Sequence, residues 1–216
     1  MLERLQNRLN QIYQTGCVHD VRDYLITDPV LAQTIARDAM LKGTEETLLL
    51  AEQDDGLGIS LFLNRALLQR LENSDPLLKL TVPSLADLWL AFEGISHFNY
   101  VVWKAAQDRE VSLLELEMQA EIDKFVCTSR LAIEQGDEQV LRGLHGWLFD
   151  EVKFREDLNA EQRDRYRSAN DYAARFCHRL GRSLRDDEAS AISELRAFYR
   201  LPMTDKLSHI HACAWA

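Results

Sequence analysis

The chain has 216 residues, 46% hydrophobic and 28% charged, which suits a globular protein with a sizeable core. Its 25 Lys and Arg stand against 35 Asp and Glu, a net charge of −10, which opposes the phosphate attraction behind most nucleic-acid binding, so no nucleic-acid partner is expected. The start, MLERLQNRLNQIYQ, is charged and carries no apolar signal segment, and Cys17, Cys127, Cys177 and Cys213 form no CxxC pair, so reduced thiols and a cytoplasmic location are expected, with no membrane association.

Taken in chain order, a first helix is expected near 2–14. Tyr24 to Thr27 (YLIT) reads as a strand, although Val18, Val21 and Leu25 also fit helical spacing. Asp28-Pro29 supplies an N-cap and a first-turn proline, and Gly43 a stop, predicting a helix from Pro29 to Lys42. Glu46 to Glu52 and Leu57 to Leu63 are β-prone runs separated by Asp54, Asp55 and Gly56, the pattern of a hairpin. In its second run Leu57, Ile59, Leu61 and Leu63 share one face, as a half-buried strand requires. A helix follows near 65–73.

Pro83-Ser84, with Asp87 three residues beyond the serine, opens a long apolar helix running to about Gln107. Ser112 with Glu115 opens the next, closed by Gly136, and Asn159 with Gln162 opens another, closed by Gly181. Shorter helices are expected near 138–149, 187–199 and 204–212. These elements predict a predominantly helical α+β fold, an antiparallel helix core with a small β-hairpin or sheet near residues 46–63. One domain over 1–216 is expected, in which an N-terminal α/β part (1–80) would pack on a helical part (81–216).

The most informative segment is Leu88 to Trp103, LWLAFEGISHFNYVVW, where Glu93 is the only charged residue and His97 follows one helical turn later. Glu93, Ser96, His97 and Asn99 interrupt the apolar run, so it reads as a core helix and not a membrane span. Leu88, Phe92, Ile95, Asn99 and Val102 lie on one side of this helix, and Leu90, Glu93, His97, Val101 and Lys104 on the other. Both sides are largely apolar, which places the helix centrally and points Glu93 and His97 into protein. Gly94 costs such a helix about 1 kcal/mol relative to alanine and marks the close approach of another backbone or a ligand.

The helix from Leu113 to Gln135 carries Glu115, Gln119, Asp123 and Arg130 on one side, read as a solvated face. Glu117 and Glu121, with Lys124 and Thr128 nearby, lie on the opposite side among apolar residues and are expected to face inward. A short connection makes the two helices antiparallel neighbours, so Glu93, His97, Glu117 and Glu121 would converge. Carboxylates and an imidazole suit zinc, manganese or iron with an activated water, and Glu93, His97 and Glu121 are then the catalytic candidates. The spacing matches no HExxH, HxxEH or Glu-x-x-His signature. The competing reading is a buried network: Glu117 and Glu121 pair with Lys124, Lys104 or a C-terminal arginine, and His97 donates to Glu93. A third is a metal-free site with a buried carboxylate of raised pKa as general acid or base beside His97.

Residues 163–185 hold seven arginines and two aspartates, giving +5 there and −15 on the rest of the chain. Arg167, Arg175 and Arg182 fall behind the apolar stripe of that helix, either simply solvated or forming a basic strip for an acidic partner, for phosphate or for a second copy. His209, His211 and Cys213 would share a side only in an extended tail, and a helical end is favoured. His145 lies near a helix bend, within reach of a site. No GxSxG, GxxxxGK[ST] or GxGxxG motif is present. Two functions follow: a helix-rich interaction or regulatory protein with a buried Glu/His network and a homo-oligomeric or protein partner, or a metal-dependent enzyme, most plausibly a hydrolase, with its divalent metal between the two central helices.

Overall fold

The computed structural model describes residues 1–37, 40, 43–53 and 56–213, without the side chains of 52, 53, 57 and 213. The fold is predominantly helical α+β, with a small mixed sheet. Helix α1 (Leu2–Tyr13) places Leu2, Leu5, Leu9 and Ile12 inward at helical spacing. After a 3-10 turn come strand β1 (Leu25–Ile26) and helix α2 (Pro29–Ala36). The Asp28 carboxylate accepts from the Val30 and Leu31 amides, as its N-cap role predicts. The helix stops earlier than Gly43 suggests, because Arg37 takes a positive φ of 53°. The predicted end at Lys42 lies outside the described residues.

Strands β2 (Glu46–Gln53) and β3 (Gly56–Leu63) form the expected antiparallel hairpin, with Leu48 opposite Leu61 and Thr47 opposite Phe62. The turn residues Asp54 and Asp55 lie outside the described residues. YLIT resolves into β1, which pairs parallel to β3, so the order is β1-β3-β2 with β3 central. Leu61 and Leu63 join the main core, as their face predicts. Phe62, on the other face, is also fully buried, with Ala32 of α2, Met40 and Leu49. The end of β3 is therefore covered on both sides, as a central strand must be.

Helix α3 (Arg65–Asn73) leads through a 3-10 turn into α4 (Leu85–Ala105), and α5 (Leu113–Gln135) returns beside it. Contacts between α4 and α5 run in opposite senses, Trp89 to Thr128, Ser96 to Asp123 and Lys104 to Glu115, which makes the helices antiparallel as predicted. Ser112 caps α5 at the Glu115 amide, and Gly136 at φ 67° ends it. Helix α6 (Glu138–His145) closes in a π turn, then α7 (Ala160–Asp186), α8 (Glu188–Arg200) and α9 (Met203–Cys213) complete the chain.

The Asn159–Gln162 capping box starts α7 as expected, but Gly181 does not end it. It lies inside the helix against α5, where an added Cβ would sit 3.0 Å from Phe125 Cζ. This glycine serves helix packing and not termination. A large core cluster gathers side chains from α1, the sheet and helices α3 through α9. Among the described residues no helix is long and apolar enough to cross a membrane.

Candidate functional site

Helix α4 is buried almost all round from Ala91 to Lys104, and its polar side chains therefore have to find protein partners. His97 is 6% exposed and stands between two carboxylates from different elements. Its Nδ1 lies 3.7 Å from Glu46 Oε1 of β2, and its Nε2 3.6 Å from Glu117 Oε2 of α5. Both separations exceed hydrogen-bond length, and Glu46 Oε1 and His97 Nε2 have no hydrogen-bond partner. They are charge contacts in a low-dielectric interior, where such contacts matter. Behind Glu117, Arg165 Nε of α7 approaches Oε1 at 3.9 Å.

Gly94 explains how Glu46 reaches this place. A Cβ on residue 94 would lie 2.9 Å from Leu61 Cδ1, 3.0 Å from Glu46 Cγ and 3.1 Å from Glu46 Oε1. Gly94 does mark a close approach, but what comes close is the Leu61 and Glu46 side chains of the sheet, and not the backbone or ligand expected.

One turn away, Lys124 Nζ of α5 donates to Glu93 Oε2 at 3.1 Å and to Glu121 Oε1 at 2.7 Å. The lysine is 7% exposed, while the two glutamate side chains keep 23% and 20% of their surface. Glu117 and Glu121 do face inward, and Lys124 and a C-terminal arginine are their partners, as the network reading has it. The predicted His97 to Glu93 contact is not made, because Lys124 takes Glu93. Lys104 pairs instead with Glu115, at 2.9 Å.

Burial drives the protonation behaviour of this group. It pushes Glu46 up to about 7, against the opposing pull of His97, with Glu93 and Glu117 adding to the rise. Burial alone would lower the His97 pKa, but Glu117 and Glu46 together outweigh it and raise the value well above normal. Glu121 is raised by burial against the opposition of Lys124. In Glu93 burial is overcome by Lys124 and His97, which hold the carboxyl low.

The four residues predicted to meet at a metal fall into two sets. Glu93 and Glu121 are turned to Lys124, whose ammonium lies where an ion would bridge them. Glu117 and Glu46 lie at opposite ring nitrogens of His97, so one ion cannot take all three. Among the described residues no three His, Cys, Asp or Glu side chains are grouped to hold a metal ion, and the donor set does not fit one.

The opposite face of α5 overturns the solvated-face expectation. Glu115, Gln119 and Asp123 are 3%, 1% and 2% exposed, because α1 and α9 bring Tyr13 and Lys206 across them. Asp123 accepts from Ser96 Oγ at 2.6 Å, from Gln119 Nε2 at 2.9 Å and from the Tyr13 hydroxyl. Glu115 accepts from Tyr100 and meets Lys104 and Lys206, and Lys206 donates to Tyr100 Oη at 2.7 Å. Burial raises Asp123 to about 6 and lowers Lys206 to about 8. Arg130 remains partly exposed and pairs with Glu188 at 2.8 Å.

The isolated histidines lie apart from both networks. His209 meets Glu194 at 2.9 Å, and His211 packs edge-on to Tyr172 from the same helical end. His145 Nε2 lies 3.1 Å from the Ala174 carbonyl oxygen. No protein-family model, curated protein or solved structure matches this sequence.

Proposed function

We propose that the protein works by binding another macromolecule, as an interaction or regulatory protein, and that its buried Glu/His/Lys networks fix the arrangement of its helices and sheet. The observation that carries this reading is the position of Lys124. Its ammonium is shared between Glu93 and Glu121 at 3.1 and 2.7 Å, so two of the carboxylates expected to take a metal are already engaged by the chain itself. His97 stands between Glu46 and Glu117 at 3.7 and 3.6 Å, with Arg165 3.9 Å from Glu117, so Glu46, Glu93 and Glu117 each face a cationic side chain from another element, and Glu121 one from its own helix. Such networks specify one packing arrangement over others because every alternative strands a buried charge.

The test is elemental analysis of untagged protein purified without chelator, alongside the Glu117→Gln/His97→Ala double variant. The expected result is no stoichiometric zinc, manganese or iron in either protein and a lower unfolding midpoint in the variant. Near-stoichiometric metal in the parent, lost in the variant, would overturn the reading in favour of a metal-dependent hydrolase.

A further inference from the structure

On α7, Arg175, His178, Arg182 and Arg185 recur at steps of three and four residues and are all exposed, so they lie on one helical face. At 1.5 Å per residue this face runs about 15 Å, close to three turns. Among the described residues, none of the three arginines has a hydrogen bond or ion pair. Elsewhere in the same acidic chain, Arg4 meets Asp75, Arg8 meets Glu134, Arg70 meets Asp87 and Arg130 meets Glu188. The three guanidiniums form an exposed cationic face on a chain that carries 35 acidic residues. The helix dipole favours cations in the last turn, which accounts for Arg185 but not for Arg175 or Arg182, nor for their common face.

Resting on the interaction reading above, we infer that this face docks an acidic helical segment of a partner protein, with carboxylates about one turn apart. Guanidiniums grip carboxylates in bidentate fashion and lose little hydration in doing so. The length of the strip selects the kind of partner. Exposed Asp171 bounds it at one end and exposed Asp186 at the other, in a chain whose net charge is −10. A nucleic-acid duplex, with one charge per ~1.7 Å of axis, would run past both ends into these acids. An acidic segment of two or three turns meets only the cations.

The test uses fluorescence anisotropy on the full chain with a labelled helical peptide bearing glutamates at i, i+3, i+7 and i+10. The same peptide with glutamines and a short DNA duplex are measured beside it. The glutamate peptide is expected to bind in a salt-sensitive manner. Arg175→Glu/Arg182→Glu should weaken it by about tenfold or more, since each lost charge contact contributes of order 1 kcal/mol. A variant matched in net charge, Arg65→Glu/Lys79→Glu, should bind as the parent does. The assignment is overturned by absence of glutamate-peptide binding, by equal binding of the glutamine peptide, by equal loss in the charge-matched variant, or by tighter binding of the duplex. Metal content of the same preparation separates the two failures: stoichiometric metal removes the interaction reading, whereas failed peptide binding in metal-free protein removes only this surface.

Discussion

At the scale of single residues, the networks make distinct predictions. Burial raises Glu46 in the folded state to about 7 from an unfolded value near ~4.3. A raised folded value means the folded state holds the extra proton, so this contribution to stability is complete below the unfolded pKa and is lost as pH rises toward 7. Glu46→Gln removes the titration and should flatten the stability profile between about pH 5 and 7, with a gain of order 1–2 kcal/mol at pH 8 relative to the parent. Urea unfolding across that pH range checks it; an unchanged slope would show that Glu46 is not buried beside His97. Gly94→Ala gains about 1 kcal/mol in helix propensity, but its methyl would press on Leu61, which is fully buried, and on Glu46. The overpacking should win, with a net loss of about 1–2 kcal/mol, read from the unfolding midpoint.

At the scale of elements, helix ends and helix contacts separate what local sequence dictates from what the fold dictates. Ser112 accepts from the Glu115 amide at 3.1 Å, and Ser112→Ala should cost about 1 kcal/mol, the usual loss of an N-cap. Gly181→Leu would drive a branched side chain into Phe125 where α7 meets α5. It should destabilise by about 1–3 kcal/mol, and circular dichroism should show α7 intact, since leucine is the better helix former. The same contrast explains how much of the molecule was legible in its sequence. Caps at Asp28, Ser112 and Asn159, the 46–63 hairpin and the inward faces of α4 and the Glu117 side of α5 all follow from local patterns. Gly181 was misread because a glycine that stops a helix and one that admits a neighbouring ring look alike in one dimension. The Glu115 side of α5 was misread because a row of polar residues signals solvent unless another helix covers it, and Tyr13 and Lys206 come from the two ends of the chain. Glu46 carried no signal of its own, although Gly94 indicated that something had to come close.

At the scale of the whole molecule, charge is arranged in two layers. Inside, carboxylates from β2, α4 and α5 are met by Lys124, Arg165, His97, Lys104 and Lys206, so that residues far apart in the chain depend on one another. Outside, the acidic surface is broken by the arginine face of α7. The interior layer ties the sheet to α4 and α5 through Glu46, His97 and Glu117, and it binds α9 to the core through Lys206, which is fully buried. Burial lowers Lys206 to about 8, so the unfolded state holds its proton more tightly. Its contribution to stability should therefore rise as pH climbs from about 8 toward the unfolded value near ~10.4. That rise should appear as a pH-dependent difference between parent and Lys206→Met in urea unfolding from about pH 7.5 to 10, over the opposite fall that buried Cys127 and Cys177 impose on both proteins, whereas a constant difference would place Lys206 outside this titration.

The most direct test of the central claim, that Lys124 is the internal cation for Glu93 and Glu121, is a urea-unfolding cycle of Lys124→Met, Glu93→Gln/Glu121→Gln and the triple variant. Removing the lysine alone should cost about 3 kcal/mol by stranding two carboxylates, and neutralising both glutamates in the same chain should restore most of that loss. Equal and additive costs in all three variants, or no cost on removing Lys124, would contradict the account.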